Sequence, residues 1–317
     1  MRSKFAINIF LLTFIFSCNE ESIRESPTNL IWAPSDFSEY GASFFSFREG
    51  DDNNLYSTGF VNNQFGVHRE INGNWEIVLQ LEWPKFGVQD FAVFKQVIYL
   101  VSEGMLWKAS GANVEKVNFG NRITSISQLN EKLIVTGDFS DGANTTSGAA
   151  FTEDGSLFTP IAPAEGNFIT PGYLILATSS KLFIGSGNFN AYEYDGLNLK
   201  KIEFSQWFSN VDTEGNFYTI DHNSDGRRQI VKLKNGVSTK LGSPFGKENI
   251  ISTILLKDDI VIAFGDNSKS HLSVAFFLDK DEWHVISTTN RFFGTFKYDD
   301  RIFAYTGEGI ITELVYQ

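Results

Sequence analysis

The residues from Thr124 to Ile161 (TSISQLNEKLIVTGDFSDGANTTSGAAFTEDGSLFTPI) constrain the fold more than any other stretch. They contain four short apolar runs, SISQL, KLIVTGDF, GAAF and SLFTPI. Turn-forming residues separate the runs: Asn130-Glu131, Asp141-Gly142-Ala143-Asn144 and Asp154-Gly155. Short β-rich segments bounded by such residues predict strands joined by tight hairpins. Four of them make one small antiparallel sheet.

The rest of the chain carries degenerate copies of that unit. First strands are expected to begin near residues 43, 88, 124, 173, 208, 250 and 292, roughly 41 residues apart. The turns after them repeat in kind, as in Gly50-Asp51-Asp52-Asn53, Ser179-Ser180, Glu214-Gly215, Lys257-Asp258-Asp259 and Asp299-Asp300. Helical periodicity is absent beyond the N-terminus. The fold class is therefore all-β. A single β-propeller of four-stranded blades fits best, with seven favoured over six or eight. A pair of β-sandwiches or an irregular solenoid is the alternative.

The last unit lacks its fourth strand, whereas Asn29-Leu30-Ile31-Trp32-Ala33-Pro34 reads like the other fourth strands. Compare Asn74-Trp75-Glu76-Ile77-Val78 and Glu282-Trp283-His284-Val285-Ile286. Residues 29–34 are expected to complete the C-terminal blade, because an open ring would leave sheet edges and an apolar face uncovered. One domain, 29–317, follows.

Upstream, Arg2 and Lys4 precede an apolar run from Phe5 to Phe16, too short to span a bilayer comfortably. Residues 1–17 read as a signal peptide and 18–28 as a polar, flexible tether. Cys18 is the only cysteine and has no partner for an internal disulfide. The sequence Ser17-Cys18-Asn19-Glu20-Glu21 resembles a bacterial lipoprotein signal with Cys18 as the lipidated residue. Ordinary secretion is the alternative. The acidic residues after Cys18 resemble the tether of surface-exported lipoproteins of Bacteroidetes-type bacteria. Likewise, Ile134-Val135-Thr136-Gly137-Asp138-Phe139 with its downstream Asp154-Gly155-Ser156 resembles the Gly-Asp-Phe repeats of kelch-like bacterial surface propellers. Leu55–Phe60 and Phe183–Gly187 are partial echoes. These resemblances imply a cell-envelope location, lipid-anchored, at the outer membrane and surface-exposed. That family's functions are diverse, so the resemblance bears on fold.

The chemistry is less marked. Acidic residues outnumber basic ones by 38 to 26, which disfavours nucleic acid as a partner. No nucleophile elbow, zinc-protease helix, phosphate loop or dinucleotide glycine run is present. The four histidines fall in different units: His68 and His284 on expected strands, His222 and His271 on loops. Asp221, Asn223 and Asp225, ahead of Gly226, resemble the start of a calcium loop, with Ca2+ as the only cofactor suggested. Lys232 stands where the closing glutamate belongs, so a polar turn is the plainer reading. No other cofactor and no catalytic residue are expected. Trp83, Phe86, Phe168, Trp207 and Phe245 lie on connections that a propeller gathers on one rim. There they could stack against a protein or glycan ligand, or wedge between blades as core. Three functions remain in play: a binding module, a carbohydrate-active enzyme using channel carboxylates, and a structural subunit of an envelope complex.

Overall fold

The computed structural model describes residues 30–83, 85–120, 122–140, 145–161, 172–177, 181–186, 191–202, 209–222, 228–234, 236–242, 246–258 and 260–317. They form seven four-stranded antiparallel sheets arranged as a ring, a seven-bladed β-propeller. Among them, no helix is long and apolar enough to cross a membrane.

The chain enters through β1 (Leu30–Pro34). Blade 1 follows with β2 (Ser43–Glu49), β3 (Leu55–Val61), β4 (Gln64–Ile71) and β5 (Asn74–Gln80). Blade 2 holds β6 (Val88–Phe94), β7 (Val97–Ser102), β8 (Met105–Ser110) and β9 (Asn113–Lys116). Blade 3 holds β10 (Arg122–Leu129), β11 (Lys132–Ser140), β12 (Thr145–Thr152) and β13 (Thr159–Ile161). Blade 4 holds β14 (Gly172–Ala177), β15 (Leu182–Ser186), β16 (Ala191–Tyr194) and β17 (Leu199–Ile202). Blade 5 holds β18 (Asn210–Val211), β19 (Phe217–His222), β20 (Arg228–Lys234) and β21 (Val237–Lys240). Blade 6 holds β22 (Asn249–Lys257), β23 (Ile260–Asn267), β24 (Ser273–Asp279) and β25 (Glu282–Ile286). Blade 7 holds β26 (Gly294–Tyr298), β27 (Arg301–Tyr305) and β28 (Ile311–Tyr316), and β1 is its fourth strand.

Strands are called a to d within a blade. Most a-strands touch the a-strand of a neighbouring blade, so they line the axis. The b-strands are buried almost throughout, as in β7, where every residue after Val97 is buried. That burial explains their continuous apolar runs. Each of the seven blade interfaces has its own apolar cluster. Several hairpins turn on two residues with positive φ, such as Asn62-Asn63 and Asp299-Asp300. This is the hairpin geometry that matches strand twist.

Five a-strands share a device that hydrophobic periodicity does not reveal. The a–b register shifts by one residue at Phe45, Gln89, Thr124, Tyr173 and Ser252. Each is a β-bulge, which re-aims the extra residue and bends the strand. Glycine faces the bulge in three blades: Gly59, Gly137 and Gly265. A Cβ there would lie 2.0–2.2 Å from the carbonyl oxygen of Ser43, Arg122 or Ile250. The glycine of the Gly-Asp-Phe run is thus fixed by close backbone approach.

Candidate interaction rim

Among the described residues, the d–a and b–c connections lie on one rim, and the a–b and c–d turns on the other. Because β1 is a d-strand, Leu30 lies at the a–b rim and Pro34 at the opposite one.

The d–a rim carries an aromatic cluster on blade 1. The bulge in β2 lifts Phe45 out of the ladder and leaves it 40% exposed. Trp83, just past β5, is 53% exposed. Its ring meets Phe65 at 4.9 Å, Phe60 at 5.7 Å and Phe45 at 5.9 Å. Phe65 is buried and anchors the group, so the exposed rings are held in place. Edge and tilted contacts of this kind fix aromatic orientation. Further along the rim, Tyr40 and Phe293 are exposed. Phe293 lies against Gly307, where a Cβ would come within 2.7 Å of its ring.

The rim aromatics expected from sequence separate into distinct groups. Trp83 stands in solvent. Phe86 is half-buried, edge-on to Trp107 at 5.3 Å, and packs into the interface of blades 1 and 2. Phe168, Trp207 and Phe245 lie outside the described residues, as do Cys18, Asn223 and Asp225. Asp221 sits on β19 and accepts a hydrogen bond from Gln229 Nε2 at 3.0 Å. Among the described residues, no group of three His, Cys, Asp or Glu side chains is placed to hold a metal ion. Of the histidines, His68 is buried with its Nε2 facing Gly59 O at 3.2 Å. Burial outweighs its backbone hydrogen bonds and lowers its pKa. His284 stacks on Phe277 at 5.1 Å. Phe45 escaped the sequence reading. Its signal was the glycine at the matching place on the next strand, Gly59.

The a–b rim opens into a funnel of about 1150 Å³ bordered by blades 1, 5, 6 and 7. Its acidic residues are Glu49, Asp212, Glu214, Asp258, Asp299 and Asp300, against Lys232, Lys257 and Lys297. Burial pushes Asp212 upward, but Asn216, Tyr218 and Lys232 outweigh it and hold the carboxyl below its ordinary value. Asn216 and Lys234 lower Glu214, and Lys297 lowers Asp300. A general acid for glycoside cleavage needs the opposite shift. Asp212, Glu214 and Asp300 are shifted the other way, toward the ionised form.

The seven four-stranded blades define a seven-bladed β-propeller, with exposed aromatic rings on one rim. No family model and no curated protein matches the chain. Solved structures match in fold. One described as YCF48 bound to D1 peptide is 12% identical, with a TM-score of 0.60, covering 93% of this chain and 97% of that one. YCF48 from Cyanidioschyzon merolae is 9% identical, with a TM-score of 0.58, over 90% and 98%. The WD40 propeller domain of Doa1 is 12% identical, with a TM-score of 0.53, over 92% and 98%.

Proposed function

We propose that the protein is a lipid-anchored propeller of the bacterial cell envelope that binds a protein partner through the d–a rim of blade 1. The observation that carries this reading is the pairing of exposed Trp83 and Phe45 on a buried aromatic base. Exposed aromatic rings that are already immobilised bind with little further loss of freedom. The peptide complex of YCF48 supports it, as a ring of similar shape that presents a surface to a peptide. The anchor reading rests on Cys18 in its signal-like setting, with residues 1–17 removed and 18–28 as the tether. It fits the point at which the chain joins the ring, because Leu30 lies on the rim opposite Trp83.

Two experiments test this. Photo-crosslinking from position 40, exposed on the same rim, should capture in cells one partner that Trp83→Ala and Phe45→Ala both lose, with thermal unfolding unchanged. Retained capture in both variants overturns the rim. Cys18→Ser should move the protein from the membrane to the soluble fraction, and unchanged membrane retention overturns the anchor.

A further inference from the structure

A second cavity, of about 390 Å³, lies between blades 1 and 2 on the a–b side. That volume falls in the range of small-molecule sites. Its origin is visible beside the next interface round the ring. Tyr56 on β3 and Tyr99 on β7 hold the same place in their strands, paired with Arg48 and Ala92. Between blades 2 and 3, the long c–d connection of blade 3 spans Phe151 to Thr159 and folds over Tyr99. The Tyr99 hydroxyl donates to Gly155 O at 3.2 Å. The fit is close, since a Cβ on Gly155 would lie 1.8 Å from that hydroxyl. Asp154 holds the turn by accepting from the backbone N–H groups of Ser156 and Leu157. Phe158 then closes the interface as part of its apolar cluster.

Blade 2 has no such connection. Its c and d strands join through Gly111-Ala112, between the paired Ser110 and Asn113. The volume that a longer turn would occupy stays open over Tyr56, whose hydroxyl donates to Asp52 at 2.7 Å instead. Val78, Val93, Ile98 and Ala109 form an apolar wall. Arg69 faces the same space, and its Nε is buried with no hydrogen-bond partner among the described residues. A buried donor without an acceptor calls for an explanation. The guanidinium interacts with the Tyr56 hydroxyl, and Asp52 accepts from the N–H and Nδ2 of Asn54 and from Tyr56, but neither reaches Arg69 Nε.

We propose that this cavity binds a small monocarboxylate with a branched aliphatic or aromatic body. The carboxylate sits on the Arg69 guanidinium, and the body lies along the wall of Val78, Val93, Ile98 and Ala109. The pairing repeats what blade 3 provides from its own chain: an oxygen acceptor over the tyrosine, followed by an apolar group. Guanidinium binds carboxylate with two parallel hydrogen bonds, which selects an acid over its amide.

The test is a titration of the full chain with 4-methylpentanoate and phenylacetate, with 4-methylpentanamide as the neutral control, followed by calorimetry and protein NMR. Both acids should bind saturably and shift resonances of Val93, Ile98 and Ala109, and the amide should bind about tenfold more weakly. Arg69→Gln should bring acid and amide to the same level. A variant carrying the blade 3 turn in place of Gly111-Ala112 should lose all binding while keeping its melting transition. It also covers the case in which Arg69→Gln fails to fold. Absence of saturable binding to either acid overturns the proposal, as does equal binding of acid and amide by the natural chain. Undiminished binding by the grafted variant does so too.

Discussion

The fourth strands of blades 6 and 7 look alike in sequence but are held in register by different means. In blade 6, β25 follows β24 through Lys280-Asp281, a two-residue turn with positive φ at both positions. The turn alone sets which residue faces which. In blade 7, β1 and β28 belong to opposite ends of the chain, and no turn joins them. Their register, Leu30 with Tyr316 through Pro34 with Thr312, is fixed from the other side. There the chain after β1 folds back onto blade 7. Ser35 N donates to Ile311 O, Glu39 N to Gly309 O and Gly41 N to Glu308 O. Ser38 Oγ both donates to Ile311 O at 2.9 Å and accepts from Ile311 N at 3.0 Å. A covalent hairpin and a noncovalent latch thus do the same task, and the latch requires specific side chains.

The tryptophans on these strands differ in the same sense. Trp283 Nε1 donates to Leu241 O at 2.6 Å, and Trp75 Nε1 to Phe37 O at 2.8 Å, each reaching the preceding blade. Trp32 Nε1 is buried without a partner among the described residues. Its ring leans on Phe292 at 5.4 Å and Phe264 at 6.2 Å. At this tryptophan, blade 7 has apolar burial where blades 1 and 6 add a hydrogen bond, and Leu30 beside it is only 1% exposed.

Four experiments probe this contrast. The largest effect is expected from deleting residues 30–34, which bares the β28 edge and the Leu30 pocket. Cooperative thermal unfolding should vanish and light scattering should show association; a sharp transition in the truncated protein would mean that the ring closes without β1. Next, Gly309→Ala places a Cβ 1.9 Å from Glu39 O at φ +80° and should cost about 3 kcal/mol in urea unfolding. Gly73→Ala has a similar φ of +83°, but its nearest neighbour is 3.5 Å away, so it should cost about 1 kcal/mol. Third, one substitution should give two results. Trp75→Phe leaves Phe37 O without its donor and should cost about 1 kcal/mol more than Trp32→Phe, which removes an unpaired N–H. Equal losses in the two melts would show that Trp32 is bonded after all.

The smallest effect concerns Arg301 and Glu313, which pair on β27 and β28. The hydrogen bond from Arg301 holds the Glu313 carboxyl below its ordinary value. A lowered carboxyl contributes stability above its unfolded pKa and loses it as the pH falls through the folded one. Arg301 is 42% exposed, so Arg301→Gln should cost under about 1 kcal/mol at pH 7. That difference should fade as the pH drops below about 4, the range of an unperturbed glutamate. A gap that persists at pH 2 would assign the loss to packing against Phe37 and Phe303 instead.

Much of the architecture was legible because turn chemistry is local. Asn130, Asp258 and Asp299 do take positive φ at the a–b turns, and the a-strands begin within two residues of the expected places. Ring closure was legible because Trp32 copies Trp75. The bulges were not, since an extra residue interrupts the period of two that identifies a strand, and Phe45 read as one more apolar residue of β2. Nor was the latch, because Ser38 and Ile311 are remote in sequence and neither is unusual by type. The inter-blade cavity was invisible for a further reason. It arises from the shortness of a loop, and a short loop leaves no residues to notice.

The direction of β1 has a mechanical consequence. A pull on Leu30 away from the ring, with the opposite rim held, runs along the strand axis rather than across it. All five register pairs of β1 with β28 then share the load in shear, whereas a pull from the side would open them one after another. The closing strand thus resists a load along its own axis better than one from the side.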